Sequence, residues 1–212
     1  QSISKFNKID KTSLKRFKKI YKLPKKYIFY PAMYLPHKNH KYIIDVIKII
    51  KSEYQIDLHA VFCGSDKGYL KKIKKYGYDK KVSENVTFLD FVDGEHLPYL
   101  YLNSLALVMP TLSGPTNIPP WEAFKMEVPV FYSDIHNIRK VYLDAVYYID
   151  PFNPETMVAG IKDLINNNEL KNKLVENVRK LLGSIDVNKE FEQFFEIIKK
   201  RRKVKDTWEF NN

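Results

Sequence analysis

The stretch Pro110-Thr111-Leu112-Ser113-Gly114-Pro115-Thr116-Asn117-Ile118-Pro119-Pro120-Trp121-Glu122-Ala123-Phe124 decides how this chain is read. It follows an apolar run, Leu105 to Met109, and contains the chemistry of a helix start. Asn117 is a good N-cap, and Pro119 or Pro120 is tolerated in a first helical turn, so a helix is predicted from near Ile118. Side chains lean back toward a helix N-terminus, which lets Glu122, one turn inside, reach the mouth of the loop. An acceptor-only carboxylate there suits two neighbouring hydroxyls, as on a ribose; on these residues alone, an ordinary first-turn acid favoured by the helix dipole is the commoner reading. Ser113 and Thr111 read as loop hydroxyls bonded to backbone.

Upstream and downstream the same theme repeats, a short β-like run followed by a helix-like one. Tyr27 to Tyr30 precedes a helical pattern from His37 to Ser52, and Leu58 to Cys63 precedes one from Asp66 to Tyr76. Further strands are predicted at Val86 to Phe88, Leu105 to Met109, Val128 to Phe131 and Val146 to Ile149. Alternation of this kind predicts an α/β fold, a Rossmann-like parallel sheet flanked by helices. Ile43, Ile44, Val46, Ile47 and Ile50 share one helical face, as do Val158, Ile161, Leu164 and Ile165; both are core stripes. Leu170, Leu174, Val178, Leu181 and Leu182 extend the pattern, with Gly183 as terminator. Phe191, Phe194, Phe195 and Ile198 form a last amphipathic helix ending in the basic run Lys199 to Lys205.

Open parallel sheets bind ligands beyond the carboxyl ends of their strands. Besides the Pro110 loop, the loop Tyr30-Pro31-Ala32-Met33-Tyr34-Leu35-Pro36-His37-Lys38-Asn39-His40 lies in such a place. Lys38 falls in the first turn of the helix predicted there. A cation at that end opposes the dipole unless it shares an anion, such as a phosphate, with the helix. The other reading is a solvated Lys38 with His37 or Asn39 capping.

Composition bounds the rest. The 212 residues are 44% hydrophobic, enough for one sizeable core. No apolar run approaches a membrane span and the first residues are polar and basic, so the chain reads as soluble. Its one cysteine, Cys63, excludes an internal disulfide and reads as a buried, inert residue of a cytosolic protein. The formal net charge is +11, but only five of the 36 basic residues are Arg and the lysines are scattered. That distribution disfavours a nucleic-acid groove and leaves two readings on an even footing, compositional drift toward lysine or a solvated basic face suited to an anionic membrane or acidic substrate. His and carboxylate groups with metal-ligand spacing are lacking, so no metal is expected.

The segment from Ser113 to Phe124 resembles the signature of glycosyltransferase family 4, of GT-B fold. In that signature two Glu residues stand eight positions apart around a glycine-containing turn and a proline. Glu122 matches the second Glu and Pro119 the proline; Gly114 stands where the first Glu would be, marking a missing sugar contact. Tyr30-Pro-Ala and Pro36-His-Lys-Asn-His40 resemble the family's first strand and diphosphate loop. Lys38 matches its pyrophosphate lysine, and Met33 lies near the place of the accompanying Arg. Val61-Phe-Cys-Gly64, Val86 to Val92 and Asp150-Pro-Phe-Asn-Pro154 follow in the family's order.

The resemblance implies the C-terminal, nucleotide-sugar-binding half of a retaining glycosyltransferase, inactive without the N-terminal domain. It divides the chain into a linker region, 1–26, a donor-binding domain, 27–183, and a C-terminal helix with basic tail, 184–212. The implied catalytic residues are Lys38 and Glu122; the implied substrate contacts are Gly114, Thr116, Asn117, Ile118, Phe91, Val92 and Leu97. Lys38 and the dipole near Ile118 would stabilise the leaving diphosphate of a UDP- or GDP-hexose, with a glycan or lipid-linked acceptor and no further cofactor. The implied location is the cytoplasm, including the inner membrane surface. Two other classes stay open: a sugar-nucleotide epimerase, and a non-catalytic basic interaction module.

Overall fold

The computed structural model describes Phe17, residues 20–90, Val92, 94–114 and 118–185. The chain forms two compact units, 1–178 and 179–212, and the sheet lies wholly in the first. The second is described only over 179–185, so the last amphipathic helix and the basic run Lys199 to Lys205 lie outside the described residues.

Six parallel strands, β1 (Tyr27–Pro31), β2 (His59–Cys63), β3 (Val86–Leu89), β4 (Ala106–Met109), β5 (Val130–Ser133) and β6 (Tyr147–Ile149), run in the order β3-β2-β1-β4-β5-β6. The α/β, Rossmann-like parallel sheet read from the sequence is therefore present. Central strands of such a sheet are covered on both faces and read as unbroken apolar runs. Ile28 and Phe29 of β1 and Ala106 to Met109 of β4 are accordingly all buried. β1 pairs with β2 on one side (Tyr30 with Phe62) and with β4 on the other (Ile28 with Ala106, Phe29 with Leu107). Chain order reverses at this β1–β4 boundary, the kind of position at which open parallel sheets offer a ligand crevice.

Between the strands run α1 (His40–Tyr54), α2 (Leu70–Asp79), α3 (Leu97–Leu102), α4 (Ile118–Lys125), α5 (Ile138–Tyr142), α6 (Glu155–Asn166) and α7 (Asn168–Ser184). The stripe Ile43, Ile44, Val46, Ile47 and Ile50 on α1 is buried, as are Val158, Ile161 and Leu164 on α6. Gly160 lets α6 lie close on the sheet: a β-carbon there would fall 2.6 Å from Phe131 and 2.7 Å from Tyr147.

Several boundaries differ from the sequence reading. Residues 36–38 form a 3-10 turn and Asn39 adopts a left-handed conformation (φ 57°, ψ 39°), so α1 starts at His40 and Lys38 lies ahead of it. Pro36 fixes that turn, and the Asn39 side chain holds the bend by donating to the Pro151 carbonyl at 2.9 Å. α2 starts at Leu70 rather than Asp66, because the Asp66 carboxylate accepts the amides of Gly68, Tyr69 and Leu70 at 2.8 to 3.1 Å and holds a turn instead. β5 begins at Val130 rather than Val128: the Val128 amide closes α4 on the Ala123 carbonyl at 2.9 Å, and Pro129 has no amide for the ladder. Gly183 lies inside the last turn of α7, which ends at Ser184.

Candidate functional site

The loops after β1 and β4 are built as one unit. The His37 carbonyl accepts the Leu112 amide at 2.8 Å and lies 3.3 Å from the Thr111 hydroxyl, which donates to the Ser113 carbonyl at 2.7 Å. Thr111 is fully buried, in keeping with a backbone-bonding hydroxyl. Tyrosines at the carboxyl edge of the sheet fix both loops. Tyr30 donates to the Lys38 carbonyl at 2.8 Å, and Tyr132 to the Gly114 carbonyl at 3.3 Å. Tyr34 reaches across to the Leu89 carbonyl at 3.2 Å, and Tyr42 to that of Asn153 at 3.1 Å. The rings are buried, and each hydroxyl meets a carbonyl that would otherwise lie near the protein interior.

Gly64 completes the frame. Its α-carbon is pressed so closely on the β1 loop that a β-carbon would sit 2.3 Å from the Ala32 carbonyl oxygen. Lys38, half-buried at the rim, has its pKa lowered because burial strips water from the cation. Met33, near the position of the missing Arg, is exposed.

His40, the first residue of α1, is 1% exposed and packs among the rings of Tyr30, Tyr34 and Phe62. Burial, with Lys38's charge adding to it, pushes its pKa from 6.5 down to about 3. The unfolded chain binds this proton below pH 6.5 and the native chain does not until about pH 3. Stability is therefore full above pH 6.5 and falls as the pH drops through that window, on the order of 2 kcal/mol by pH 5. Urea titrations at pH 7 and pH 5 are expected to show this loss in the wild type and a smaller one in His40→Phe.

On the β4 side, α4 begins at Ile118 as read from the sequence. Pro119 and Pro120 carry no amide hydrogen, which leaves Ile118 as the described first-turn donor. Ile118 is 72% exposed. Gly114 has φ 105°, a conformation that a side chain strains. The partly exposed Glu122 is held from the sheet side, its Oε2 accepting the Tyr101 hydroxyl at 2.6 Å. Of the remaining predicted contacts, Leu97 opens α3 as expected, and Val92 is buried, so that only its backbone can face a ligand. Phe91, Thr116 and Asn117 lie outside the described residues.

Two parts of this frame have no mark in the linear sequence: Tyr101, 21 residues before the carboxylate it meets, and the left-handed Asn39. The excess of tyrosines, 15 in all, was the available hint. Cys63 is half-buried rather than buried, and its thiol points to the Asp90 carbonyl at 3.5 Å. Burial nonetheless raises its pKa to about 11, which leaves it a thiol and unreactive.

The sequence model described as "Glycosyl transferases group 1" matches residues 11–181. The chain belongs to the group 1 glycosyl transferases. Over 129 residues this group 1 chain is 30% identical to the O-antigen chain mannosyltransferase RfbU of Salmonella typhimurium, covering 61% of the chain and 35% of that protein. The chain spans about a third of the length of the curated relatives it matches. Among solved structures, it superposes on HepE from Anabaena, crystallised with UDP and glucose, with a TM-score of 0.75 at 15% identity, over 92% of this chain and 54% of that one. It also superposes on the C-terminal domain of a group 1 glycosyl transferase, LpcC, from Francisella tularensis. There the TM-score is 0.66 at 18% identity, over 80% of this chain and 90% of that domain. The GT-B likeness of the fold is thus shown. Among the described residues no helix is long and apolar enough to cross a membrane.

Proposed function

We propose that this group 1 chain is the donor-binding half of a retaining glycosyltransferase. It serves transfer of a hexose from a nucleoside-diphosphate sugar to a glycan or lipid-linked acceptor in polysaccharide synthesis. The observation that carries the reading is the position of Lys38 on the loop after β1 and of Glu122 on α4, the helix that the loop after β4 leads into, with those two loops tied together through the His37 carbonyl. A nucleotide laid across this crevice meets a cation on one side and a carboxylate on the other.

Each end suits one part of the ligand. Lys38 and the Ile118 end of α4 favour the diphosphate, and an adjacent anion would restore the ammonium's depressed pKa. In the transition state the same groups would stabilise charge growing on the leaving diphosphate. Glu122 would accept both ribose hydroxyls, and Leu97 and the Val92 backbone would border the base. Gly114, Thr116, Asn117 and Ile118 would face the sugar and phosphates, with Gly114 giving space where a carboxylate is absent. The relatives support the reading: HepE holds UDP in a similar fold, and RfbU is named a mannosyltransferase, which favours mannose as the sugar. The match to an isolated C-terminal domain supports an N-terminal partner domain that supplies acceptor contacts. A cytoplasmic chain resting on the inner membrane surface would meet a lipid-linked acceptor there.

Calorimetric titration of the 212-residue chain with UDP, GDP and ADP tests this. One of the three is expected to bind, and Glu122→Ala to weaken it about 150-fold, the order of two hydroxyl contacts to a charge at about 1.5 kcal/mol each. Unchanged affinity in the folded variant would contradict the ribose role.

A further inference from the structure

We infer that Tyr101 is the positioning residue of the site: its hydroxyl sets the Glu122 carboxylate in the orientation that receives a ribose diol. This rests on the proposal that Glu122 holds ribose. The geometry is particular. Tyr101 sits near the end of α3, its ring fully buried and set edge-on against Phe29 of β1, with centroids 5.0 Å apart at 86°. α3 itself is fastened to β1, because Tyr27 donates to the Leu100 carbonyl at 2.8 Å and the Leu105 amide donates to the Tyr27 carbonyl at 2.7 Å. The hydroxyl is thus anchored to the central strand. It donates at 2.6 Å to Oε2 of Glu122, on a helix that follows the next strand.

That bond does two things to the carboxylate. It fixes the torsions of a side chain that would otherwise rotate about three bonds, so less order is lost when ligand binds. It also fills one lone-pair direction on Oε2 and leaves the rest of Oε2 and all of Oε1 to accept hydroxyls. Among the described residues no other side chain bonds this carboxylate. Burial, with the negative charge of Glu122 next to it, raises the Tyr101 pKa well beyond the ordinary phenol range. Tyr101 is therefore always a donor here. An aromatic residue needed only for packing would be served by Phe.

The test compares wild type, Tyr101→Phe, Glu122→Gln, Glu122→Ala and the double variant Tyr101→Phe/Glu122→Gln. Each is titrated with the tightest-binding of UDP, GDP and ADP and with its 2′-deoxy counterpart. Phe keeps the ring against Phe29, and melting curves check the fold. Tyr101→Phe is expected to weaken the ribonucleotide about fivefold, the scale of one hydrogen bond, while the deoxynucleotide changes little, so the preference for ribose shrinks. The two substitutions are expected to be non-additive. A purely structural Tyr101 would lower both affinities alike, or neither, and the ribose preference would stand; that result overturns the inference. The same holds if Glu122→Ala loses affinity while Tyr101→Phe and the double variant show additive effects. If Glu122→Ala keeps full affinity, the ribose reading itself falls, and this inference with it.

Discussion

Gly64→Ala is expected to lower the melting temperature by about 6 to 12 °C and to impair the nucleotide site together with the fold. The added β-carbon would lie 2.3 Å from the Ala32 oxygen and 2.6 Å from the Ala32 carbonyl carbon, with the Met33 nitrogen 3.0 Å away. These are backbone atoms of the β1 loop, so no side-chain rotation relieves the overlap. The Gly64 amide is itself bonded to the Leu89 carbonyl at 3.3 Å, which resists movement of β2 in the other direction. Overpacking of this kind costs about 3 kcal/mol, and a chain of this size loses roughly 2 to 4 °C per kcal/mol. The displaced loop carries Lys38, so affinity for a nucleoside diphosphate should fall in whatever fraction stays folded. Gly94→Ala is the control, because a β-carbon there meets nothing within 4 Å. Differential scanning calorimetry of the two variants is expected to separate them clearly; equal melting points would show that the β1 loop is not held as described.

Lys38→Ala is expected to weaken UDP or GDP binding by about a hundredfold, through loss of a charge-assisted contact in a partly desolvated place. The free nucleoside, which has no phosphate, should bind the variant and the wild type alike. Acceptance of the Tyr30 hydroxyl is made by the Lys38 backbone carbonyl and survives in the variant, and melting curves check the fold. The wild type's affinity should fall as salt is raised, and the variant's less steeply. A Lys38→Ala variant that binds diphosphate normally would remove the phosphate side of the crevice.

These two positions also show what the sequence reveals and what it conceals. The apolar runs of the strands and the five-residue stripe of α1 report their burial directly, because periodicity and burial are the same fact. The start of α4 at Ile118 is legible because the signals that predict it, an Asn and two prolines within three residues of it, are local. Where local signals competed, the linear reading slipped. The His37–Asn39 region has a helical pattern, but Asn39 takes a left-handed bend secured by Pro151, 112 residues away. Asp66 reads as part of a helix, although its carboxylate accepts the amides of Gly68, Tyr69 and Leu70 and makes a turn. The Tyr101–Glu122 bond joins side chains from two helices that lie on either side of β4 in the chain, which no spacing rule describes. The Gly64 contact is of the same kind: glycine is visible, but the carbonyl that forbids any other residue is not.

The central claim is that one nucleotide spans the two loops, and a crystal structure of the chain soaked with UDP or GDP tests it most directly. Diphosphate oxygens within hydrogen-bonding distance of Lys38 Nζ, with the ribose hydroxyls on Glu122, are the predicted result. A diphosphate seated instead among the exposed lysines of α2, Lys71, Lys72 and Lys75, with the β1–β4 crevice empty, would contradict it.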